Sequence, residues 1–136
     1  MILVQACQPN AKPDSAELLN VDREFSALSL QKGMNHAFAE YCAESGVILR
    51  NNSYPIIGRN NVISRLNQQS DTTFRLTWEP MFADMALAGD MGYTYGTYLV
   101  SSMQGDSLGV GTYVSIWKRN QEGEWKFVFD AGNEGL

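Results

Sequence analysis

One histidine and two cysteines are the residues of this sequence best suited to nucleophilic or metal chemistry. His36 and Cys42 stand six apart on what reads as one helix. That spacing points them to different faces, so a thiolate–imidazole pair is not formed there. Three such residues are too few for a closed tetrahedral zinc site, and the reading assigns no metal and no cofactor. His36, beside Asn35 and next to Glu40 along its helix, reads as a surface residue. Cys42 reads as a small buried hydrophobe. What remains for chemistry is carboxylates, arginines and tyrosines, and these depend on the elements that carry them.

The chain has 136 residues, 44% of them hydrophobic and 18% charged, with a formal net charge of −5. This is the size of one domain, able to bury about two-thirds of its unfolded surface without a disulfide scaffold. The longest basic run is Lys118-Arg119. Phosphate backbones require clustered cations, so nucleic acid is excluded as a partner, as is adhesion to an anionic membrane.

Near the start, Val4-Gln5-Ala6-Cys7 precedes a polar run with two prolines. An aliphatic residue three before a cysteine and a small one just before it resemble the cleavage box of bacterial lipoproteins. That resemblance implies acylation of Cys7, residues 1–15 as remnant and tether, and a place in the cell envelope; without it, the location reads as cytoplasmic. Six residues before Cys7 are too few for an apolar signal core, so the reading requires a longer leader.

From residue 16 the chain is read as one domain. Ser15 is the expected cap of a first helix over residues 16–33, with Leu18, Leu19, Val21, Phe25, Leu28 and Leu30 near helical spacing. Gly33 interrupts, and a second helix is expected over residues 34–44 with Phe38, Tyr41 and Cys42 as its apolar stripe. Val47 to Leu49 form a short strand. Pro55 keeps Tyr54 extended, and a short helix follows Gly58. After Asp71 strands are expected over 73–78, over 81–88 running toward Gly92–Ser102, over 107–118 and over 124–130. Gly-containing polar turns separate them. Helices followed by a meander describe an α+β fold with helices on one face of the sheet.

The segments Gly92–Ser102 and Gly109–Lys118 share Gly-Thr-Tyr and read as neighbouring strands. On the first, Thr94, Gly96, Tyr98 and Val100 alternate with Tyr93, Tyr95, Thr97 and Leu99. Both faces are apolar or aromatic, so one covers the helices and the other meets a second subunit. Glycines let such a sheet bend strongly, and a bent sheet leaves a cavity.

The order helix, helix, "YCAESGVIL", "IIGRNNVI" and a meander closing on "GEWKFVFD" resembles the nuclear transport factor 2-like superfamily. Within it, the likeness is to ketosteroid isomerase homologues and SnoaL-like proteins, over about residues 16–133. The resemblance implies a cone, in which a curved sheet wraps N-terminal helices around an open pocket, usually as a dimer. The isomerase chemistry itself needs a carboxylate base and an oxyanion site of a tyrosine and a protonated acid. On the resemblance these positions fall on Arg50, Ser26 and about Val114, so ketosteroid isomerisation is excluded.

The same correspondence implies a pocket walled by Phe38, Tyr41 and Tyr98, with Lys126, Val128 and Asp130 on one strand and Val114 nearby. Arg50 at the pocket wall or Arg75 on the first long strand would orient a carboxylate or enolate oxygen, with Arg65 on the covering helix also facing the ligand. In a shifted register, Phe74, Leu76 and Trp78 replace Arg75 inside. Trp117, Trp125 and Tyr113 are expected on the outer face or at a dimer contact. Two functions follow. One is a homodimeric binding module for a small, largely apolar ligand, neutral or acidic. The other is an isomerase, cyclase or lyase with Asp130 as general acid/base. A buried Asp130 without an arginine would favour the second.

Overall fold

A computed structural model describes residues 12–136 of the chain; Cys7 and most of the expected tether lie outside them. Three helices, α1 (Ala16–Lys32), α2 (Met34–Tyr41) and α3 (Arg59–Leu66), pack against a six-stranded sheet. Its strands are β1 (Cys42–Leu49), β2 (Ile56–Ile57), β3 (Phe74–Met85), β4 (Met91–Ser102), β5 (Ser107–Arg119) and β6 (Trp125–Glu134). The spatial order is β2-β1-β6-β5-β4-β3, with β1 parallel to β6 and every other pair antiparallel. This is the α+β arrangement expected from the sequence.

The helix α1 forms because a core-facing stripe recurs at helical spacing: Leu18, Asp22, Phe25, Ser26 and Ser29 are all buried. Three of these five are polar, so the true inward face is rotated from the apolar one expected; Leu30 is half exposed. The polar members have specific work. Ser29 Oγ donates to the carbonyl of Leu76 at 2.6 Å, and Ser26 Oγ accepts the amide of Trp78 at 2.8 Å. Both partners lie on β3, the edge strand, whose free backbone groups would otherwise pair with another chain. The helix is started by Asp14, whose carboxylate accepts the Ala16 amide at 2.9 Å, and not by Ser15, which makes no side-chain cap.

Gly33 ends α1 with φ at +93°, and its missing side chain makes room for Asp71, which accepts the Asn35 amide at 2.8 Å. The second helix stops at Tyr41, three residues sooner than expected, and Cys42 opens β1. The β-forming run around Val47 pairs with β6 and extends the strand back across Gly46.

The two strands expected over 73–78 and 81–88 are one, β3, with an irregularity between Pro80 and Phe82. Similar register shifts occur in the β4–β5, β5–β6 and β1–β6 pairings. An extra residue on one strand bends it and raises its twist, which curls the sheet around α1 and α2. Phe25 is the hub of the resulting core. Its ring meets Trp78 at 4.5 Å, Tyr41 at 4.8 Å, Phe38 at 5.0 Å, Phe127 at 5.7 Å and Trp117 at 5.9 Å.

Candidate functional site

Between the curled sheet and α2 lies a cavity of about 240 Å³. Its apolar wall is Met34 and Phe38 from α2 with Leu76 and Trp78 from β3. Tyr98 of β4, Tyr113 of β5, and Asp130, Gly132 and Glu134 of β6 complete it, with Arg50 and Asn51 entering just after β1. The alternation of each strand decides who enters. On β4 Thr94 and Gly96 are buried and Tyr98 faces the cavity, whereas Tyr93, Tyr95 and Leu99 are exposed on the other side.

The polar end of the cavity is built on an ion pair. Arg50 Nη2 donates to Asp130 Oδ1 at 3.1 Å, and Nη1 donates to the Leu49 carbonyl at 2.8 Å. The guanidinium lies over the Phe38 ring, 5.5 Å from its centre. Asp130 is almost fully buried, and its second oxygen accepts the Ser115 hydroxyl at 2.8 Å. Both carboxylate oxygens are therefore engaged by donors, one by Arg50 and the other by Ser115.

A second polar group lies beneath the cavity and was not expected from the sequence. Asp22 is fully buried, and its carboxylate accepts the Trp78 indole N–H at 2.7 Å and the Tyr113 hydroxyl at 2.8 Å. The Thr94 hydroxyl, which accepts the Trp117 indole N–H at 3.0 Å, also stabilises the charged form. Burial nonetheless pushes the Asp22 acid above its usual range. Desolvation and the adjoining Asp22 push the Tyr113 phenol far upward, so it stays protonated. The clue was the spacing: Asp22 lies four after Leu18 and three before Phe25, on the buried stripe.

The remaining expectations separate. Phe38, Arg50, Tyr98 and Asp130 line the cavity. Arg75 is exposed, because β3 takes the other register and turns Leu76 and Trp78 inward. Arg65 lies on α3 away from the cavity lining. Tyr41 packs edge-on to Trp117 at 6.2 Å and beside Phe25, within the core rather than at the cavity. Val114 pairs with Tyr95 and Ala131 on the outer face, because the inward residues of β5 are Gly111, Tyr113, Ser115 and Trp117. Val128 falls in the β5–β6 irregularity, where Ile116 pairs Phe129 and Trp117 pairs Phe127; it lines a separate surface hollow with Cys42 and Lys118. Lys126 points to the Glu40 carbonyl at 2.9 Å.

Trp117 is fully buried and Trp125 nearly so, and Tyr113 points inward, so none of the three is an outer-face contact. His36 is exposed on α2, while Cys42 is buried on β1 with its thiol pushed up to about 11 by desolvation, which makes it a poor nucleophile. Among the described residues no group of three or more His, Cys, Asp or Glu could hold a metal ion, and no helix is long and apolar enough to cross a membrane.

A curled sheet on N-terminal helices enclosing such a cavity defines the cystatin-like, nuclear transport factor 2-like fold. The backbone superposes on a domain of unknown function with a cystatin-like fold from Nostoc punctiforme, with TM-score 0.74 and 14% identity, covering 93% of this chain and 80% of that one. A ketosteroid isomerase-like protein from Erwinia carotovora atroseptica gives TM-score 0.70 at 8% identity, covering 90% and 98%. A nuclear transport factor 2-like protein with a cystatin-like fold from Novosphingobium aromaticivorans gives 0.69 at 17% identity, covering 88% and 80%. No protein-family model matches the sequence, and no curated protein matches it.

Proposed function

We propose that the chain is a binding module for a small, largely apolar, uncharged ligand whose polar end is a hydroxyl or carbonyl. The observation that carries this reading is the make-up of the cavity: aromatic and aliphatic walls closed at one end by the Arg50–Asp130 pair. Pockets of this kind take apolar ligands and orient them with a few placed polar groups. An acidic ligand is the weaker option. One guanidinium faces two lining carboxylates, Asp130 and Glu134, and is already paired to the first. A ligand carboxylate would be buried beside like charge.

The alternative, an isomerase, cyclase or lyase with Asp130 as acid or base, is less well supported. That chemistry favours a buried carboxylate with no arginine partner. Both Asp130 oxygens already accept hydrogen bonds, from Arg50 and Ser115.

The reading includes a homodimer through the outer sheet face. Phe82, Tyr93, Tyr95, Leu99 and Val110 are each more than a third exposed there, and Phe82 stacks on Tyr95 at 5.6 Å. They stand on three neighbouring strands, Phe82, Tyr93 and Tyr95 on one side of Thr97 and Leu99 with Val110 on the other, and exposed apolar clusters of this kind mark association sites.

Calorimetric titration of the full chain with 2-naphthol, and separately with 2-naphthoate, tests the ligand assignment. The expected result is saturable binding of 2-naphthol with a dissociation constant on the order of 0.1 mM and weaker binding of 2-naphthoate. Tighter binding of the anion would reverse the charge assignment, and no heat with either would remove the binding reading.

A further inference from the structure

Tyr113 lines the cavity, yet its hydroxyl proton is already committed to Asp22 at 2.8 Å. We infer that the Asp22–Tyr113 pair makes the cavity floor a hydrogen-bond acceptor, which selects ligands bearing a hydroxyl donor over those bearing only an acceptor. This deepens the binding reading above and rests on it.

The argument starts from what each atom can do. An indole N–H only donates, so Asp22 Oδ1, which receives Trp78 Nε1 at 2.7 Å, is fixed as an acceptor. The Thr94 oxygen receives Trp117 Nε1 at 3.0 Å, which leaves its own proton available to the neighbouring Asp22 carboxylate. With donors converging on it, the carboxylate is the acceptor of the network and the Tyr113 hydroxyl is another donor to it. A phenol has one proton and two lone pairs. With the proton spent on Asp22, Tyr113 can meet a ligand only through its oxygen. Donation to a buried anion polarises that oxygen and strengthens it as an acceptor.

Asp22 is therefore a positioning residue. It sets the polarity of the phenol without touching the ligand. No charged donor supports it: its hydrogen-bond donors are an indole and a phenol, both neutral. A purely structural role would be filled as well by a neutral side chain, without the cost of burying a charge.

The test compares 2-naphthol with 2-methoxynaphthalene by calorimetry on the full chain. The two share the apolar body, and only the first can donate. The wild type is expected to prefer 2-naphthol by about tenfold or more. Tyr113→Phe should reduce that preference to about twofold or less, since the ring remains and the acceptor is gone. Asp22→Asn carries the test if Tyr113→Phe fails to fold. An amide that accepts from Trp78 presents its NH2 to Tyr113, which turns the phenol proton toward the cavity. The preference should then fall to parity or reverse in favour of the methyl ether.

A merely structural effect would weaken both probes together and leave their ratio unchanged. Equal binding of the two probes by the wild type, or a preference retained in both variants, overturns the inference while the binding reading stands. Failure of both probes to bind the wild type overturns both.

Discussion

The ring of Tyr98 rests against the backbone of Gly111 on the neighbouring strand, where a Cβ would stand 2.6 Å from its phenolic carbon and oxygen. Any side chain at 111 would also run into the carbonyl of Asn133 on β6. The cavity wall and the β5–β6 pairing therefore depend on the same missing atom. Gly111→Ala should cost about 1–3 kcal/mol, lower Tm by several degrees and weaken 2-naphthol binding. Gly109→Ala, on the same strand with open space at its Cβ, should leave both nearly unchanged. Thermal melts of the two variants decide this, and equal effects would contradict it.

Asp22 makes stability depend on pH in a fixed sense. Its folded value stands above the ordinary 3.8 because burial outweighs its hydrogen bonds. The folded state then binds this proton more tightly than the unfolded one, so stability falls as pH rises from about 4 through the folded value and is level above it. Tyr113 and Asp130 are the other ionisable groups that bear on it. Asp22→Asn removes the titration. The melting temperature of the variant minus that of the wild type should grow more positive over that window. A difference independent of pH would contradict this.

Arg119 ties the start of α1 to the far end of the sheet. Its Nη2 reaches both oxygens of Glu17 at 2.9 and 3.0 Å, while Nε and Nη1 donate to the carbonyls of Gly89 and Gly123 at 3.1 Å each. The guanidinium also lies 4.2 Å over the Trp125 ring, and Trp125 itself donates to Glu17. The ion pair is partly exposed and contributes little alone; the geometry of the fork carries the contact. Arg119→Lys keeps the charge but not the fork. It should lower stability almost as much as Arg119→Ala, by about 1–2 kcal/mol in denaturant melts. A lysine variant as stable as the wild type would assign the effect to charge instead.

The outer face predicts association. Light scattering at micromolar concentration should give the mass of two chains, and Tyr95→Glu, at a position 45% exposed, should give one without lowering helix content. A monomeric wild type would leave the exposed Phe82, Tyr93 and Tyr95 without a partner.

Much of this architecture was legible in the sequence because hydrophobic period and turn residues act locally. The alternation of Tyr93 through Val100 placed both faces of β4 correctly, and the resemblance put Arg50 and Asp130 at one pocket without naming them as partners. What could not be read depends on register. One added residue moves a strand's whole side-chain set to the other face. The irregularity at Pro80 fused two expected strands, and the one at Val128 put that residue in the wrong place. Val114 and Tyr113 exchanged faces for a related reason: the resemblance placed one position and the strand's own alternation was overruled. Asp22 escaped because an apolar pattern does not count a carboxylate as core. The indole and the phenol that bond it lie 56 and 91 residues further along the chain.

The central claim is that a ligand enters the space between α2 and the curled sheet rather than resting on the outer face. The most direct measurement is a map of amide and indole shifts in the 1H–15N NMR spectrum of the full chain as 2-naphthol is added. The account predicts saturating shifts at Phe38, Asn51, Leu76, Gly132 and the Trp78 indole, with Tyr93, Tyr95 and Leu99 unmoved. Shifts concentrated on the outer residues, or none at saturating probe, would contradict it.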